Sequence, residues 1–159
     1  MKERRMNMKR RYYVAYGSNL NKEQMAWRCP GAKPLGIANL VGYELKFKGS
    51  QTGAYLTIEE NKDSLVPVAI WAVTAKDEAA LDRYEGFPKF YYKKKVILPL
   101  NGDAVECFVY IMHEDRPLGI PSPWYVETCR MGYEDFGLDT YYLDKAVLKS
   151  EEGIYEEVS

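Results

Sequence analysis

Between Val66 and Val73 the chain reads VPVAIWAV, eight residues without a charge. Successive side chains of a strand point to opposite faces, so an unbroken apolar run of strand length must be covered on both sides. A helix needs a longer run and an amphipathic period, which this segment lacks. The run predicts a central, fully buried strand, and everything else must pack around it. At 159 residues and 47% hydrophobic content the chain can enclose such a strand in one ordinary domain.

The flanking patterns are mixed. Tyr12–Tyr16 reads as a strand stopped by Gly17-Ser18-Asn19. Asn21 can cap a short helix ending near Cys29-Pro30-Gly31, with Gln24 at its third position. Alternation of Val41, Tyr43, Leu45 and Phe47 predicts a strand over 35–47. A second follows at Ala54, Leu56 and Ile58, and Glu59–Ser64 reads as a polar turn. Thr74 and Asp77 start a helix that Gly86 and Pro88 end. Strands over 90–98 and 104–112 flank Asn101-Gly102, a strong hairpin signal. Ser122-Pro123 starts a helix running to about Met131, and Asp139 caps a last one over 140–148. Helices interspersed with unequal clusters of strands predict a single α+β domain, a curved mixed sheet or small barrel with flanking helices. Its expected limits are residues 12–149. A basic arm precedes it at 1–11, with Met6 and Met8 as alternative starts, and a frayed acidic tail follows at 150–159.

Charge excludes several classes of function. Twenty-two Lys and Arg against 23 Asp and Glu leave a net charge of -1, so nothing draws the whole surface to nucleic acid or anionic membrane. Six of the first eleven residues are basic, without the interleaved aromatics of a nucleic-acid arm. No apolar run reaches membrane-spanning length, and the start lacks the apolar region and cleavage site of a signal peptide. Three widely spaced cysteines and one histidine supply no conventional metal set and fit a reducing compartment. The expectation is a cytoplasmic protein with no metal and no cofactor.

The absences narrow the chemistry. The sole candidate base for a serine or cysteine nucleophile is His113, in the polar loop HEDRP, and Cys107 alternates with core residues. Phosphate-loop, dinucleotide and metalloprotease patterns are missing. Two features remain. Tyr16-Gly17-Ser18-Asn19-Leu20, between a strand and a helix, can turn several backbone N–H groups toward one point and so bind an anion; it is also compatible with a plain turn. Glu85 ends its helix beside the capping glycine, where the helix dipole and aromatic neighbours oppose ionisation; an exposed surface glutamate fits the same spacing.

Three segments then act together. YVAYGSNL, LDRYEG and PSPWYVETCRMGYEDFGL, in this order and spacing and with the YY-KKKV strand after the glutamate, resemble the gamma-glutamylcyclotransferase family over about Tyr12 to Leu148. The C-terminal segment resembles the members acting on gamma-glutamyl amino acids more than those acting on gamma-glutamylamines. The resemblance implies a barrel-like mixed sheet and an enzyme that releases 5-oxoproline by intramolecular acyl transfer. It implies Glu85 as the catalytic carboxylate and a substrate cavity formed by Tyr16, Gly17, Ser18, Asn19, Leu20, Tyr92 and Tyr125. The partner it implies is a small gamma-glutamyl substrate, and the expected assembly is a monomer or homodimer. Tyr84 before the glutamate and Phe87-Pro88 after it fall in a loop that varies within the family and shapes the leaving-group side. The alternatives are a gamma-glutamylamine, a gamma-glutamylated biosynthetic intermediate, or a non-catalytic ligand-binding module of the same fold.

Overall fold

The computed structural model describes residues 10–49 and 53–158. Most of the expected arm, with Met6 and Met8, lies outside them. Arg11 opens the first strand, β1 (Arg11–Ala15). A 3-10 turn follows at Ser18–Leu20, then α1 (Lys22–Arg28), β2 (Lys33–Gly49) and β3 (Ala54–Val73). The order continues with α2 (Ala75–Glu85), β4 (Tyr91–Leu100), β5 (Asp103–Met112), α3 (Pro123–Asp135) and α4 (Tyr141–Val158). This is the expected α+β domain.

The five strands form one mixed sheet in the order β2-β3-β1-β5-β4. β1 is its middle strand, antiparallel to β3 and parallel to β5. Residues 66–73 are buried throughout, as an apolar run beside a middle strand must be. The sheet curls until its edges meet: a side chain on Gly36 of β2 would come within 3.1 Å of Leu100 on β4.

One boundary differs from expectation. Glu59–Ser64 does not separate two strands; β3 runs unbroken for 20 residues. The register steps from Val41↔Leu65 to Tyr43↔Glu60, so Gly42 alone stands opposite residues 61–64. The polar segment is a bulge, and Asn61 Oδ1 accepts the N–H of Asp63 within it at 3.0 Å. The two glutamates at its start are paired across strands, Glu59 with Lys46 at 2.9 Å and Glu60 with Lys94 at 2.9 Å.

Helix ends follow their caps. Asp77 N donates to Thr74 Oγ1 at 3.1 Å and Thr74 N to Asp77 Oδ2 at 3.0 Å, a reciprocal pair. The other Asp77 oxygen accepts the N–H of Gly31 at 3.2 Å, tying the exit of α1 to the start of α2. Gly86 ends α2 with φ 63, the left-handed conformation a side chain disfavours. Ser122 Oγ accepts the Tyr125 N–H at 3.1 Å and starts α3. The last helix overruns its expected end and takes in the segment expected to fray. Ser150 is buried on it, against the carbonyl of Phe47 at 3.3 Å. Among the described residues no helix is long and apolar enough to cross a membrane.

Candidate active site

The middle strand ends at a cavity of about 380 Å³. Its floor is the turn Tyr16–Asn19 that leaves β1. Its walls come from Tyr55 and Leu56 at the start of β3, Arg83–Gly86 at the end of α2, Phe90 and Tyr91 at the start of β4, and Tyr125 on α3. The chain can approach so closely at Gly17 because it has no side chain. A Cβ there would stand 3.3 Å from Leu56 Cδ1 and 3.6 Å from the Tyr125 hydroxyl. The N–H groups of Ser18 and Asn19 open the 3-10 turn, and the first amides of a helical turn have no acceptor within it.

Seven tyrosines line this space, and hydrogen bonds fix most of their hydroxyls. β3 extends past the end of β1 here, so one edge of Leu56 has no strand partner. Tyr91 donates to the Leu56 carbonyl at 2.8 Å, and the Leu56 N–H donates to Tyr125 at 3.2 Å. Tyr16 donates to the carbonyl of Tyr110 at 2.7 Å, and Ser18 and Tyr84 share a hydrogen bond of 2.9 Å. Burial pushes the hydroxyls of Tyr13, Tyr16, Tyr91 and Tyr125 well above their ordinary value, and the charge of Glu85 adds to this at the first three. All four stay protonated at neutral pH.

Glu85 is the only carboxylate among the described residues lining the cavity. Burial raises it from the ordinary 4.5 to about 7, with the positive charge of Arg28 pulling the other way. The helix C-terminus accounts for its position; desolvation leads its pKa. Asn19 Nδ2 donates to Glu85 Oε1 at 3.3 Å and to the Tyr13 hydroxyl at 2.8 Å. The Asn19 carbonyl oxygen in turn accepts from Arg28. Arg28 is held by Gln24 Oε1 at 3.0 Å and lies over the Tyr84 ring, 3.4 Å from its centroid. A guanidinium has no acceptor, so its bond to one end of the amide turns the other end, the donor, toward Glu85.

Of the residues expected at a cavity, the structure brings Tyr16, Gly17, Ser18, Asn19, Tyr125 and Glu85 together. Two lie elsewhere. Leu20 is buried beneath the turn, where Gly132 of α3 packs against it. Tyr92 faces the other side of β4, where its hydroxyl donates to Glu114 Oε2 at 2.6 Å; Tyr91 takes the cavity side. Neighbours on a strand point oppositely, and an aromatic pair such as Tyr91-Tyr92 leaves the choice of face to the sheet. Tyr13 and Arg28 were not foreseen. Tyr13 carried the signal of its period-2 relation to Ala15, but Arg28 meets Asn19 only through the fold.

A family model described as gamma-glutamyl cyclotransferase, AIG2-like, matches residues 13–127. The chain belongs to this family. Proteins named gamma-glutamylcyclotransferase from Homo sapiens and Bos taurus are each 31% identical over 144 residues, covering 84% of this chain and 75% of theirs. A solved structure named gamma-glutamyl cyclotransferase superposes with a TM-score of 0.76 at 29% identity, covering 86% of both chains. The expected family and fold hold, and an enzyme of the cyclotransferase type is the class to which these relatives assign the chain. Among the described residues no three His, Cys, Asp or Glu side chains converge as a metal would require.

Proposed function

We propose that the chain is a gamma-glutamylcyclotransferase with Glu85 as its acid–base group. The alpha-amine of a gamma-glutamyl compound attacks its own gamma-carbonyl carbon. The new C–N bond closes a five-membered lactam, the bond to the departing nitrogen breaks, and 5-oxoproline and an amino acid or amine leave. Two protons depart the attacking nitrogen and two arrive on the leaving one, so the reaction needs no water and no redox partner. Because the nucleophile belongs to the substrate, no serine or cysteine is required. Holding the two ends in attack geometry supplies roughly 7–11 kcal/mol of the barrier.

The observation that carries this reading is Glu85: a lone carboxylate in a tyrosine-walled cavity, raised to about 7. A group near neutrality can take a proton from the ammonium and return it to the leaving nitrogen. The amides of Ser18 and Asn19 suit the alpha-carboxylate or the developing oxyanion. Glu85→Gln keeps the shape and cannot carry the proton. Incubated with a panel of gamma-glutamyl dipeptides and gamma-glutamylamines, the wild-type protein releases 5-oxoproline, and Glu85→Gln loses about 10²–10⁴-fold or more. Near-normal release by the variant, at unchanged fold, would remove Glu85 from the chemistry.

A further inference from the structure

Arg83 lines the cavity two residues before Glu85, is exposed, and makes no ion pair or side-chain hydrogen bond among the described residues. Its neighbours on α2 differ. Asp82 is engaged by Lys93 at 2.9 Å and by the Tyr110 hydroxyl at 2.6 Å, so the acid adjacent in sequence is taken up elsewhere. A second guanidinium, Arg116, lies over Phe90 on the cavity wall, 4.4 Å from the ring centroid, and it too has no ion pair among the described residues. The sole carboxylate of the lining faces Asn19, with Arg28 behind it. The cavity lining therefore carries one guanidinium, Arg83, that no acid among the described residues pairs, with a second, Arg116, against Phe90 of the same lining.

The substrate's own geometry says what meets that charge. Its amine must reach Glu85, and its alpha-carboxylate, on the same carbon, stays beside the amine at that end of the cavity. The leaving group lies beyond the gamma-carbonyl, toward solvent. We propose that Arg83, with Arg116 beside the same wall, is the residue that sets the preference between leaving groups with and without a carboxylate, by receiving that carboxylate. This rests on the cyclotransferase reading and sharpens it. A guanidinium offers two parallel donors to a carboxylate, and a neutral carboxamide can accept but brings no charge.

The test is a matched pair, gamma-glutamyl-alanine and gamma-glutamyl-alaninamide, which differ only in that carboxylate. Wild type turns over the acid at least about tenfold better in kcat/KM, and Arg83→Gln reduces that ratio to near one, as loss of a charge-assisted hydrogen bond predicts. Arg83→Lys restores part of the ratio, and added salt shrinks it in wild type because the site is exposed. Equal kcat/KM for the two compounds in wild type, or a ratio that Arg83→Gln leaves intact, overturns this proposal and leaves the cyclotransferase reading standing. Release of 5-oxoproline from neither compound overturns both.

Discussion

Glu85, Asn19 and Arg28 form a chain in which each group sets the next. With Glu85 as the proposed base, the carboxylate is the form that accepts a proton and it exists above its pKa, so kcat/KM should fall as pH drops through about 7. On the proposed mechanism Arg28 acts through Asn19, as a positioning residue. Arg28→Met removes a positive charge that favours the carboxylate and frees the Asn19 amide to turn, while Tyr13, Tyr16 and Tyr91 around it stay protonated. The acid limb of the kcat/KM profile should therefore move to higher pH, by about one unit; a limb that stays in place would show that Arg28 only packs. The same shift carries a stability signature. A carboxyl raised from 4.5 to about 7 loses stability as pH rises through that interval, because the folded state holds the proton longer. Glu85→Gln escapes this cost, so its Tm relative to wild type should be higher at pH 8 than at pH 5, by up to about 3 kcal/mol expressed as free energy. Tyr125 joins two roles that the sequence could only present as alternatives, packing and hydrogen bonding. Its hydroxyl lines the cavity and also satisfies the Leu56 N–H. Tyr125→Phe leaves that buried donor unpaired at about 1–3 kcal/mol. Both thermal stability and kcat/KM should fall, the latter about tenfold; unchanged Tm would place the Leu56 N–H on another acceptor.

Helix α3 holds the floor of the cavity from behind. A Cβ on Gly132 would lie 2.6 Å from the Asn21 nitrogen and 2.6 Å from Leu20 Cβ, and one turn earlier the Thr128 carbonyl accepts Asn21 Nδ2 at 3.1 Å. Helix and turn thus meet backbone to backbone, at i and i+4 on one face. Gly132→Ala should lift α3 off the turn, at about 1–3 kcal/mol of stability. Because the turn carries Ser18 and Asn19, kcat/KM should drop with it. Circular-dichroism melting together with 5-oxoproline release checks both, and full activity at unchanged Tm would contradict the contact. A glycine inside a helical pattern is a visible signal of close packing, though the sequence does not name what approaches it. The bulge in β3 shows the opposite limit. Asn61 and Asp63 have turn chemistry, and they make a local turn, but the ladder with β2 resumes on either side of it.

Across the molecule, α4 closes over the long β2–β3 hairpin. Lys149 pairs with Glu44 of β2, Ser150 reaches the Phe47 carbonyl, and Gly153 lies against Leu118, where a Cβ would stand 2.7 Å from Leu118 Cδ1. Removal of residues 150–159 should therefore destabilise the protein by about 1–2 kcal/mol, a fall in Tm of roughly 2–8 °C. A melting curve identical to that of the full chain would return the segment to a frayed tail. Nothing in the acidic pattern of that segment announced its burial, because burial there depends on a strand about a hundred residues away. What needs only neighbours along the chain was legible from the start. The apolar run 66–73, the Thr74–Asp77 cap, the Gly86 stop, the Asn101-Gly102 hairpin (φ 52 and 85) and the Ser122-Pro123 helix start all express preferences set within a few residues. Glu85 and the turn at 16–19 were visible as chemistry without a partner. The partners came from the sheet. Its order sets β1 between β3 and β5 and so carries the turn to the walls of the cavity. The pleat of β4 decides that Tyr91 faces it and Tyr92 does not, and the meeting of α1 with the turn places Arg28 on Asn19. Such contacts join residues distant in sequence, and no local propensity encodes them, since each depends on which surfaces the whole chain must bury together.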